Sequence, residues 1–174
     1  MTDLATLANL AEILGGATVV GGAFFAVRQL REARRVREDA VASELMRSFY
    51  SPELARAVQV VMALPDETDA DSLRALGPEH ESAALLVATT FETMGLLVFR
   101  RIAPFSLVRD LAGGLSRVMW RKLARWVEET RVRNRQPTFS EWFQWLVERL
   151  DDWDGAHTPV PAHVRGAGWK PRAD

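Results

Sequence analysis

The sequence predicts an all-α protein, with one N-terminal transmembrane helix continuing into a small cytoplasmic helical bundle. Three observations predict it. The chain opens on an apolar run with a single charge, Glu12, extending from Leu4 to Val27. The later segments carry apolar residues at helical spacing, and none alternates apolar and polar residues as a half-buried strand would. Proline steps punctuate those segments at Ser51-Pro52, Gly77-Pro78 and Ala103-Pro104.

The opening run spans about 36 Å at about 1.5 Å per residue, against a hydrocarbon core of about 30 Å. Its uncharged part alone, Ile13 to Val27, reaches only about 22 Å. Its Leu, Ile, Val and Phe residues contribute roughly −3 to −6 kcal/mol together, and a carboxylate at the bilayer centre costs about 2.5 to 3.5. Glu12 falls near the outer third of the span, where that cost drops. Two other fates compete. A buried helix of a soluble domain is disfavoured by Gly15, Gly16, Gly21 and Gly22, each costing a helix in water about 1 kcal/mol relative to Ala. A cleaved signal peptide needs basic residues before the apolar run, but here Asp3 precedes it. Arg28, Arg31, Arg34, Arg35 and Arg37 follow the run. The positive-inside rule then puts the N-terminus outside and residues 28–174 in the cytoplasm, as a single-pass protein of the inner membrane. Ala8, Ala11, Gly15, Thr18, Gly22 and Ala26 share one helix face. Small residues on one face let two membrane helices approach closely, so Gly15, Thr18, Gly22 and Ala26 are the candidate homo-oligomer interface.

The helical pattern continues from Gln29 to about Phe49 without a breaker. Ser51 then caps a new helix with Pro52 at its first position. Pro65 ends that helix, and Asp66 to Asp71 reads as an acidic loop with an Asp N-cap. The loop lacks the Gly and Glu positions of a calcium-binding EF-hand. Gly77-Pro78-Glu79 opens the next helix, which runs to Ile102 before Pro104 stops it. Residues 83–99 are the second most apolar stretch, but a central Glu92 and paired threonines fit a core helix better than a span. Helix resumes near Ser106 and continues to about Arg133, with Val108, Leu111, Leu115, Val118, Leu123 and Trp126 along one side. Gly113-Gly114 marks a candidate kink. The last helix starts at Thr138 or Ser140, with Phe139, Phe143, Leu146, Leu150 and Trp153 at 4-3-4-3 spacing. The expected organisation is an anchor over 1–30, a bundle over 31–153 and a flexible tail over 154–174.

Chemistry is sparsely signposted. With 22 basic and 23 acidic side chains the formal net charge is −1, so no nucleic-acid partner is expected. There is no cysteine, which removes disulfides, thiolate metal sites and thiol nucleophiles. The GGATVVGG run lacks the Lys-Ser/Thr of a phosphate loop, and GGLSRV has the wrong spacing for a nucleophile elbow. Glu79-His80-Glu81 sits at a helix start, where acids suit the dipole. His157 and His163 fall in the tail. No catalytic residue, cofactor or metal site is expected. Glu92 stands alone in an apolar run, and a buried carboxylate needs a charged or hydrogen-bonding partner. Arg117, Arg121 and Arg125 form an i, i+4, i+8 stripe on the following helix and are the expected partners, with Glu92, Arg117 and Arg121 as a buried ion pair. The basic cluster from Arg121 to Arg135 reads as a solvated face, or else as a contact for anionic lipid. Trp142 and Trp145 read as core, unless a partner or the lipid interface claims one of them.

The runs LANLAEILGGATVV (Leu7 to Val20) and AVRQLREARR (Ala26 to Arg35) resemble the opening of a bacterial family of unknown function. That family pairs an apolar helix with a basic stretch containing Gln-x-Arg. FETMGLLVFRRIAP (Phe91 to Pro104) and the region of Trp120 are similar to its middle part. The pair Phe24-Phe25 departs from the aromatic-aliphatic pair with Tyr that is common there. The resemblance implies a small membrane-anchored helical protein and supplies no catalytic residues. The expected function is a non-enzymatic oligomeric scaffold or interaction module at the inner membrane face. Its partners would be membrane lipid and a second copy or another protein. The alternative is a ligand-binding or enzymatic helical domain using Glu92 and the Arg117/Arg121/Arg125 stripe.

Overall fold

The computed structural model describes residues 22–32, 40, 47, 51–157 and 160–171. All regular structure among them is helical. The chain divides into two compact units, residues 1–45 and 46–174. In the first, residues 22–32 are helical, and the apolar side chains of Phe24, Phe25, Val27 and Leu30 are exposed. The rest of the expected span, including Gly15 and Thr18, lies outside the described residues, as does most of the arginine-rich stretch that follows.

The described residues of the second unit include the helices α1 (Pro52–Met62), α2 (Ala70–Ala75), α3 (Pro78–Phe99), α4 (Phe105–Asn134), α5 (Glu141–Ala156) and α6 (Ala162–Arg165). Ser51 caps α1 as its sequence predicts, its Oγ accepting from the Leu54 N–H at 3.0 Å. Asp69 caps α2 by accepting from the Asp71 and Ser72 N–H groups. The acidic loop before α2 is pinned to α4 rather than freely solvated. Lys122 donates to the Leu64 carbonyl at 2.6 Å and pairs with Asp66 at 2.8 Å, while Glu129 accepts from the Ala70 N–H.

The core is centred on α3, which packs against α1, α2, α4 and α5. It is the one described helix long and apolar enough to cross a membrane, by length and composition. Eight of its residues are nevertheless buried within the protein, among them Val87, Phe91 and Met94. Fully burying such a side chain contributes about 1.5–3 kcal/mol, which ties this helix to the bundle.

Two expectations about α4 need correction. The helix is continuous through Gly113-Gly114. Gly113 faces α5, where an added Cβ would lie 3.3 Å from Leu150 Cδ2, so this glycine serves close helix packing rather than a bend. The buried stripe also differs from the one its large residues suggest. Ala112, Gly113 and Ser116 are buried, whereas Leu111 is 44% exposed. At Gly113 a small residue takes the inner position because α5 approaches closely, and the buried Ser116 satisfies its hydroxyl on the Ala112 carbonyl at 2.8 Å. On α5 the predicted 4-3-4-3 positions Phe143, Leu146 and Leu150 are fully buried. The helix runs on through Ala156, and the single turn of α6 follows within the segment expected to be a tail.

Candidate functional site

Glu92 sits on α3 facing the start of α5, and its partner there is backbone. The Phe143 N–H donates to Glu92 Oε2 at 2.8 Å, and the neighbouring Trp142 N–H also favours the charged carboxylate. These are the orphan donors of the first turn of α5, which its own cap leaves open. Ser140 occupies the cap position in a left-handed conformation (φ 55°) and makes no side-chain cap bond. Glu92 thus caps a helix some fifty residues further on, placing its charge at the positive end of that helix. Three residues along α3, Gly95 meets Trp142 so closely that a Cβ there would lie 2.6 Å from the Trp142 carbonyl carbon. One turn beyond Gly95, Phe99 packs on Trp142 with ring centroids 4.3 Å apart. Behind the junction, Phe143 stacks on Phe91 at 5.1 Å and meets Trp120 edge-on at 5.0 Å.

The electrostatics of Glu92 are balanced between opposing causes. Burial pushes its pKa above the usual carboxylate value; the two backbone N–H groups pull it down, Glu141 pushes it up and Arg131 pulls it down. The net direction is upward, because partial desolvation outweighs the hydrogen bonds.

Among the described residues no ion pair joins Glu92 to Arg117 or Arg121, the partners expected for it. Arg117 instead turns to the C-terminal end of α5, bonding Asp151 and Asp154 at 2.6 Å each and donating to the Leu150 carbonyl. Arg125 pairs with Glu129 four residues on, at 3.0 Å. The geometry explains the difference. The first turn of α5 already supplies the donors that Glu92 needs, while two aspartates and a carbonyl are closer to Arg117. Arg131 holds the turn before α5, donating to the Phe139 carbonyl and to Gln144 Oε1, both at 2.8 Å. With Lys122 and with Arg133 on Asp71, four cations of the basic cluster are engaged inside the protein.

A second polar feature went unnoticed in the sequence. A cleft of about 480 Å³ lies between the first half of α4, the end of α5 and α6, lined by Arg109, Arg117, Trp153, His157 and Arg165 among others. The Arg109 guanidinium lies over the Trp153 ring at 5.1 Å, and His157 stacks on the same ring at 4.2 Å. Arg109 also pairs with Asp110 at 2.8 Å, so the cationic lining is largely neutralised by neighbouring acids. Its parts come from three consecutive helices, with Arg109 and Arg117 some forty residues before Trp153 and His157, and only the 4-residue step from Trp153 to His157 is a local signal. Trp142 and Trp145 are half-buried, T-shaped to each other at 6.2 Å. Of the candidate oligomer interface, Gly22 and Ala26 lie on the exposed helix at 22–32; Gly15 and Thr18 are outside the described residues.

Fold and site together define a helical domain in which Glu92, set in the apolar stretch of α3, does structural work at a helix junction. The chain belongs to the family described as Domain of unknown function (DUF4760), whose model matches residues 17–150. No curated protein and no solved structure matches the chain.

Proposed function

We propose that the chain is a membrane-anchored, non-enzymatic helical module, acting as an oligomeric scaffold or interaction domain at the inner face of the cytoplasmic membrane. The observation that carries this reading is the use made of Glu92. The carboxylate best suited to be an acid or a ligand is committed to capping α5, in a junction filled by Phe91, Phe143 and Trp120. Arg117, its expected companion, is committed to two aspartates. Support for the anchor comes from the helix at 22–32, where Phe24 and Phe25 are 70% and 64% exposed. Such a surface is costly in water and favourable in hydrocarbon. The arginines that follow the span favour a cytoplasmic side for the residues after it. Assembly would use Gly15, Thr18, Gly22 and Ala26.

A second reading rests on the cleft beside Trp153. Its size suits a small ligand, and Arg109, Arg165 and His157 would favour an anionic aromatic one. The committed pairing of Arg109 and Arg117 favours the scaffold. A C-terminal fusion to a reporter active only in the periplasm tests the topology. The expected result is no reporter activity with the fusion intact in the membrane fraction; strong activity overturns the orientation.

A further inference from the structure

The outward face of α3 is built unlike a water-facing surface. Ser82, Leu86, Thr89, Thr93, Leu97 and Arg100 follow one another at helical spacing and so share a face. Leu85 and Leu86 on it are 49% and 37% exposed. Between Glu81 and Arg100 the only charge on the helix is Glu92, which is turned to α5. The threonines keep their hydroxyl protons to themselves. Thr89 donates to the Leu85 carbonyl at 2.8 Å, Thr90 to Leu86 at 2.7 Å and Thr93 to Thr89 at 2.9 Å. A hydroxyl has a single proton to donate, so these offer water no free donor.

The C-terminal end of this face has a different chemistry. Phe99 is half-exposed and packs on both Trp142 and Trp145. Ile102 is exposed beside it in sequence. Arg100 and Arg101 are exposed, and neither makes an ion pair among the described residues. An apolar stretch ending in tryptophans and cations is the arrangement that suits a membrane–water interface, where rings sit at headgroup depth and arginines meet anionic lipid.

We propose that this face of α3, with the Phe99/Trp142/Trp145 cluster and Arg100 and Arg101 at its end, rests on an anionic lipid bilayer. The helix lies on the membrane without crossing it, because its other half is the core of the bundle and Glu92 caps α5. The inference rests on the membrane reading given above. A unit tethered by the anchor meets the bilayer at high effective concentration, so a modest apolar face suffices for contact. The exposed Arg100 and Arg101 supply charge complementarity to the anionic cytoplasmic leaflet.

The chain lacks cysteine, so a single introduced thiol can be spin-labelled without background. Leu86→Cys and Thr93→Cys place labels on the face, and Glu128→Cys places one on the exposed side of α4 as a reference. The full chain is reconstituted in vesicles of phosphatidylcholine and phosphatidylglycerol. Flotation is checked first; then relaxation by oxygen, which partitions into lipid, and by a water-soluble nickel chelate is measured. The expected result is labels at 86 and 93 reached by oxygen, with nickel accessibility several-fold below that at 128. Combining Arg100→Glu with Arg101→Glu should raise nickel accessibility at 86, and equal shielding in that variant overturns the assignment to anionic headgroups. Nickel access at 86 and 93 in protein that floats overturns the lipid contact and leaves the anchor standing. Shielding from both reagents means that protein covers the face, a second copy or the chain's own apolar segment, and also overturns it. Protein that fails to float overturns the anchor and this inference together.

Discussion

At the scale of single residues, Glu92 joins two helices through one carboxylate, and its energetics decide what substitutions there should do. Glu92→Ala leaves the Phe143 N–H without its acceptor, which should cost about 1–3 kcal/mol in urea unfolding. Glu92→Gln keeps an acceptor oxygen and removes the charge, so it should cost clearly less. The pH dependence follows from the raised pKa. The folded state holds the Glu92 proton more tightly than the unfolded chain, whose reference value is 4.5. Stability from this group is therefore greatest below that value and falls as pH rises through the folded pKa. The Gln variant lacks this loss, so its stability relative to the parent should improve from about pH 4 toward neutrality and then level off. A difference independent of pH would contradict the raised value. Gly95 makes a second, independent point. Gly95→Ala drives a methyl into the Trp142 carbonyl and should cost about 1–3 kcal/mol despite the better helix propensity of Ala. The sequence exposed the oddity of Glu92 but not its partner. A lone carboxylate in an apolar run is visible locally, whereas backbone donors are carried by every residue and leave no mark of their own.

Among the elements, helix boundaries were the most legible feature. Ser51-Pro52, Gly77-Pro78 and Pro104 all fall where helices start or stop, because caps and proline act through local backbone chemistry. The faces of α4 were less so. Apolar size points to Leu111, but the buried positions are Ala112, Gly113 and Ser116, and at Gly113 the close approach of Leu150 on α5 is a property of two helices together. The paired glycines of α4 should separate cleanly in experiment. Gly114 is exposed in the helix interior with nothing within 4 Å of an added Cβ. Gly114→Ala should therefore stabilise the protein by about 0.5–1 kcal/mol in thermal or urea unfolding. Gly113→Ala must displace Leu150 and should gain less or lose stability. Equal gains at both would mean that α4 and α5 are further apart than described. The short helix α2 shows only its Asp69 cap in the sequence, since six residues carry too little periodicity to register.

For the whole molecule, the all-helical class was legible from periodicity, and the expectation of a family of unknown function agrees with the family model that matches residues 17–150. The cleft at Trp153 was not, because Arg109, Arg117 and Arg165 meet only through the packing of three helices. Assembly belongs to this scale. If Gly15 and Gly22 let two anchors approach, replacing both with Leu should abolish cross-linked oligomers in intact membranes while insertion persists. Bands of undiminished strength would move any assembly to the bundle. The central claim is that residues 4–27 hold the chain in a bilayer. Alkaline extraction of membranes from cells making the full chain tests it most directly, since high pH strips proteins held by charge and leaves those held in hydrocarbon. The account predicts that the chain stays in the pellet. Its recovery in the alkaline supernatant would contradict it.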